Sequence, residues 1–79
     1  MMSKESVSNI VQEFVIMNPE YDCQWAFDID PMNFIVRVVD RSNHDISAKA
    51  IIPSTPYLDG EGFTCAIAVL AAQVRLYKR

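Results

Sequence analysis

Glycine occurs only twice in the 79 residues, and four prolines are spread along the chain. Collagen-like and Gly/Pro-rich low-complexity architectures are therefore excluded. Histidine occurs once and no Cys-x-x-Cys pair is present, so no metal site is expected. Two cysteines, Cys23 and Cys65, are too few for the disulfide framework of a small secreted domain. Two buried, reduced thiols are the expectation, with a disulfide between them as the alternative. No apolar run approaches the roughly 18 residues that cross a bilayer. Ser8, Asn9, Gln12 and Glu13 interrupt the N-terminal apolar residues where a secretory signal would need continuity. The chain is expected to be cytoplasmic, without membrane contact.

Basic residues are missing from a long stretch. Residues 5–36 contain Glu5, Glu13, Glu20, Asp22, Asp28 and Asp30 but no lysine or arginine. The first 36 residues carry a net charge of −5, the remaining 43 a net charge of +2. Overall the chain is at −3, without the basic footprint of a general nucleic-acid binder, so direct nucleic-acid binding is not expected.

What is present is apolar and patterned. At 51% hydrophobic residues the chain can form a core, which intrinsically disordered chains cannot. Its length allows one domain, residues 1–79, near the lower limit for self-sufficiency. Val7, Ile10, Val11, Phe14 and Met17 recur at helical spacing and predict a helix over 3–17, capped by Ser3 or Ser6 and ended by Asn18-Pro19.

Alternation over 22–30 predicts a strand with Cys23, Trp25, Phe27 and Ile29 on one face. A turn at Asp30-Pro31-Met32-Asn33 would place Ile29 opposite Phe34 and Arg41 opposite Asp22. Phe34–Asp40 and Ile46–Ile52 complete a three-stranded antiparallel meander. A second helix over 61–77 carries two apolar stripes, one of Phe63, Ile67, Leu70, Val74 and Tyr77, the other of Cys65, Val69, Ala72 and Leu76. A helix apolar on so much of its circumference is expected to be buried on more than one side, or to meet a partner. The fold class is α+β, in the order α-β-β-β-α. The outer sheet face mixes Ala26, Ile35, Val39 and Ile51 with Asp28, Arg37 and Lys49, so either a helix or a partner is expected to cover it.

No catalytic set is apparent. Ser42, His44 and Asp45 have the residue types of a hydrolytic triad but crowd into one loop, whereas a triad needs an imidazole between groups brought from separate segments. Asp28 and Asp30 share a strand face without further ligands. Asp59-Gly60-Glu61-Gly62 lacks the spacing of a P-loop or an EF-hand and reads as a helix cap with acidic first-turn residues. Trp25, Phe27 and Phe34 could stack bases, but they share a face with Val36 and Val38 and read as core. No enzyme activity and no cofactor are expected.

The α-β-β-β-α order is similar to that of a double-stranded RNA-binding domain, although that family grips phosphates with a Lys-rich cluster where this chain has Asp59-Gly60-Glu61-Gly62. The aromatic alternation around Trp25 and Phe27, followed by Cys65-Ala66-Ile67-Ala68 in an apolar last helix, resembles small bacteriophage α/β/α-sandwich accessory proteins. That resemblance implies a phage-encoded protein that works by occupying a host complex, as anti-CRISPR proteins do.

The leading expectation is a non-enzymatic inhibitor that binds a host protein, or protein–nucleic-acid complex, with a basic surface. Glu20, Asp22, Asp28 and Asp30 would form the acidic edge, and Ile35, Arg37, Val39, Lys49 and Ile51 a second interface. The alternative is a homodimeric assembly module, joined through helix 63–77 or the outer sheet face.

Overall fold

Both helices begin where a side-chain oxygen can receive an otherwise free amide. The computed structural model describes residues 2–29 and 32–78, in the order α1 (Lys4–Met17), β1 (Tyr21–Asp28), β2 (Asn33–Asp40), β3 (Ser47–Pro53) and α2 (Gly60–Tyr77). Ser3 caps α1 by accepting from the Ser6 amide at 3.1 Å. Asn18 ends it: its backbone and its side-chain amide both donate to the Phe14 carbonyl, at 2.9 and 3.0 Å. Asp59 caps α2 through a 2.7 Å bond from the Gly62 amide. A Cβ on Gly62 would come within 3.1 Å of that capping oxygen, so the cap and the glycine belong together.

The three strands form one antiparallel sheet in the order β1-β2-β3. Tyr21, Cys23, Phe34, Val36, Val38 and Ala48 share one face and are buried there. Val7 and Val11 of α1 and Phe63, Ile67, Leu70 and Val74 of α2 join them in a single core. Both helices therefore lie on the same side of the sheet, in two layers, and neither covers the outer face. Phe34 is the hinge of the packing. Its ring lies 5.1 Å from Phe27 at a tilt of 46°, and meets Phe63 at 5.7 Å and 83° and Trp25 at 6.3 Å and 64° edge-on, which joins β1, β2 and α2 through aromatic contacts.

The pairing of β1 with β2 differs from the expected one by two residues. Phe27 lies opposite Phe34, Trp25 opposite Val36 and Asp28 opposite Asn33. The connecting segment is thus residues 29–32, and Asn33 belongs to β2. A shift of two preserves the period of the strand, so the expected core face of Trp25, Phe27, Phe34, Val36 and Val38 is kept while every cross-strand partner changes. Ile29 leaves the core and is 72% exposed. Tyr21 takes a core place at the other end of β1, stacked on Phe14 at 6.1 Å. Arg41 is opposite Glu20 rather than Asp22, with its amide on the Glu20 carbonyl.

α2 is not buried on more than one side, the first of the two alternatives expected for it. Of its first stripe Phe63, Ile67, Leu70 and Val74 are buried, while Tyr77 at its end is exposed; Cys65, Val69, Ala72 and Leu76 all face solvent. Two layers give a helix one side to bury, and the sheet already occupies it. The C-terminal end of α2 is tied down by a buried carboxylate. Asp40 follows the alternation of Phe34, Val36 and Val38 into the core side, is 2% exposed, and meets Lys78 Nζ at 3.4 Å.

Phe34→Ala should lower unfolding free energy by about 3–5 kcal/mol, because a cavity would open at the contact of three elements. Denaturant titration checks it; a loss under about 1 kcal/mol, in the range of surface changes, would contradict this role for Phe34.

Candidate functional site

The antiparallel register sorts the outer sheet face into cross-strand rows. Asp22, Val39 and Ser47 form one, Gln24, Arg37 and Lys49 the next, Ala26, Ile35 and Ile51 a third, and Asp28, Asn33 and Pro53 the last. Ile51 is 60% exposed and Ile35 half-buried, so the third row is an apolar strip open to solvent. Arg37 lies directly opposite Lys49. Like charges in that position repel, and among the described residues no carboxylate forms an ion pair with either; the one ion pair found is Asp40 with Lys78. A shallow open groove runs over this region, lined by Gln24, Trp25, Ala26, Ile35, Arg37 and Lys49. Val39, expected on this surface, is buried between its ladder neighbours Asp22 and Ser47 and offers no contact area.

The carboxylates expected to form an acidic edge are carried by an edge strand. Glu20 precedes β1 and is exposed, Asp22 is half-buried and Asp28 exposed; Asp30 lies outside the described residues. Among the described residues none of the first three is ion-paired. Asp22 and Asp28 point to the same face, six residues and so about 20 Å apart. They therefore form a line of separated charges along the strand, not a cluster. Asp22 also accepts a 2.9 Å bond from the Cys23 amide.

That bond lies on the free edge of the sheet. The Arg41 amide on the Glu20 carbonyl fixes the alternation, so the amides and carbonyls of Tyr21, Cys23, Trp25 and Phe27 point away from β2. The first part of the edge is satisfied internally: the Tyr21 amide donates to the Asn18 carbonyl, the Tyr21 carbonyl accepts from Arg41 Nη2 at 3.2 Å, and Asp22 receives the Cys23 amide. No protein partner is found among the described residues for the outward amides of Trp25 and Phe27.

The other chemical candidates are dispersed. Ser42, His44 and Asp45 are exposed, and no hydrogen bond joins their side chains; the Asp45 amide donates to Asn43 Oδ1. Asp59 serves its own helix as a cap. Among the described residues no three His, Cys, Asp or Glu side chains converge to hold a metal ion. No helix of the described residues is long and apolar enough to cross a membrane. Both cysteines are free thiols. Cys23 is buried as expected, but Cys65 is exposed on α2, because it belongs to the stripe that the sheet does not reach. Burial, with the Asp22 carboxylate adding to it, pushes the Cys23 thiol up to about 11. Sequence reasoning missed Tyr21 and Asp40, although both continue alternations already read, Tyr21 that of Cys23 and Trp25, and Asp40 that of Val36 and Val38.

Comparison with protein-family models, curated proteins and solved structures gives no match to this chain.

The two thiols should behave oppositely. At sub-micromolar protein and pH 8, iodoacetamide should modify Cys65 in the native state and Cys23 only after unfolding. The folded state holds Cys23 protonated, so its contribution to stability is full below the ordinary thiol value and is lost as pH rises through about 11. Cys23→Ala should remove that part of the alkaline decline; equal pH profiles for the two proteins would contradict it.

Proposed function

We propose that this chain is a non-enzymatic binding protein whose partner docks on the sheet side, across the β1 edge and the outer face. The observation that carries this reading is the uncovered outer face: an apolar strip of exposed Ala26 and Ile51 and half-buried Ile35, beside an Arg37–Lys49 pair that has no ion-pair partner among the described residues. A partner carboxylate or phosphate set between Arg37 and Lys49 would relieve their repulsion, and apolar side chains would cover Ile35 and Ile51. The carboxylates of Glu20, Asp22 and Asp28, which have no ion-pair partner among the described residues, suit cations along the partner, and the outward amides of Trp25 and Phe27 suit an added strand.

We take that partner to be a protein that handles nucleic acid, because a groove built for phosphates would supply the basic groups that the β1 carboxylates suit. The chain would act on it by occupancy, as an inhibitor of a host assembly, without chemistry of its own. Acidic charge along β1 would speed the encounter with a basic groove.

Capture from a bacterial lysate, with bound proteins identified and then challenged with nucleic acid, tests the reading. Capture of a nucleic-acid-handling complex, displaced by its own nucleic-acid ligand and abolished by Asp28→Lys with Ile51→Lys, is the expected outcome. Unchanged capture by that double variant would remove the sheet-side mechanism.

A further inference from the structure

We infer that α2 pairs with α2 of a second copy, antiparallel about a two-fold axis, through Cys65, Val69, Ala72 and Leu76. This inference is independent of the sheet-side reading. At 100° per residue these four side chains fall within about 60° of one another and point directly away from Phe63, Ile67, Leu70 and Val74. Val69 and Leu76 are 57% and 60% exposed. Solvent-facing positions of a surface helix are normally polar. Here the outward face has no charge through its middle, and its charged residues stand near the ends: Glu61 in the first turn and Arg75 in the last.

The placement of those two charges selects the occupant. Both lie on the flank of the stripe next to Ala68, and both are exposed without an ion-pair partner among the described residues. Fourteen residues separate them, or about 21 Å of helix. A two-fold axis crossing the stripe between Ala68 and Val69 maps that flank onto itself and reverses the helix. Glu61 of each copy then meets Arg75 of the other, so a single operation satisfies both charges twice. The same operation seats Cys65 against the partner's Ala72, whose small side chain lets the helices approach to about 8–10 Å. It also sets the two helix dipoles head to tail. A parallel pairing would carry the two charged flanks to opposite sides of the contact, leaving Glu61 and Arg75 of both copies without a partner, and is disfavoured.

The register makes a covalent prediction. The two Cys65 residues would be offset by about 10 Å along the helices, too far for a disulfide, whereas residues at position 69 would be offset by only about 1.5 Å. The dimer would present its two outer sheet faces at opposite ends, so a partner with two sites would be held with avidity.

Sedimentation equilibrium over a concentration range, on the full chain, tests the inference. A monomer–dimer equilibrium is expected. Ala72→Glu should give a monomer with an unchanged circular dichroism spectrum, since that position is exposed. Glu61→Arg or Arg75→Glu alone should weaken dimerisation on the order of tenfold, and the two together should restore it. Under mild oxidation Cys65→Ala with Val69→Cys should cross-link, and the natural sequence should not. A monomer at every concentration overturns the inference. So does a dimer that survives Ala72→Glu but dissociates with Ile51→Lys, because its contact would then be the sheet. A dimer that is lost with Ala72→Glu but is indifferent to both charge reversals, or that cross-links through Cys65, overturns the antiparallel register. Monomeric behaviour with sheet-side capture intact would leave the proposed function standing.

Discussion

The alternation of side chains in β1 and β2 constrains everything else in this protein. Tyr21, Cys23, Trp25 and Phe27, with Phe34, Val36 and Val38, turn their bulk to one side of the sheet. Burying that bulk needs more than one helix, and both helices are drawn to it. Phe34 shows why the arrangement is cooperative. Its ring touches aromatic side chains of β1 and α2 at once, so strand pairing and helix docking stabilise each other. The consequence is asymmetry: one side is a complete core, and neither helix covers the other side of the sheet.

The two surfaces left over are unlike each other. The outer sheet face is wide and mixed, with Ile35 and Ile51 beside a pair of cations that no carboxylate of the described residues neutralises. The outward face of α2 is narrow and apolar, with opposite charges near its two ends. A chain this small has few residues to place, and neither arrangement contributes to its own core. Like charges on facing strands and apolar residues facing water both lower stability or solubility. The contacts proposed for them outside the chain would give each a physical reason.

Much of the architecture was legible from residue patterning. Helical spacing gave α1 and α2 within a residue of their observed ends, and Asn18-Pro19 stopped the first as a residue before proline should. Strand period gave the faces correctly but not the pairing, because a shift of two residues leaves every face unchanged. Only the length of the turn decides it, and the turn signal at Pro31 could be read from more than one start. The second stripe of α2 was visible as pattern. Whether it was buried was not, because that depends on how many layers the fold has, which is set by distant segments. The candidate surface was legible in part. Arg37, Lys49, Ile35 and Ile51 were placed on the outer face by parity alone, while the burial of Val39 and the bond from the Cys23 amide to Asp22 depend on three-dimensional neighbours.

The one-sided core is tested most directly by methyl NMR with a soluble paramagnetic probe. The methyl signals of Ile51 and Val69 should broaden strongly, while those of Val36, Val38 and Val74 should stay sharp, at a concentration where the chain is monomeric. Strong broadening at Val36 and Val38 together with sharp Ile51 signals would mean that the sheet is covered on the opposite face, and would contradict the account.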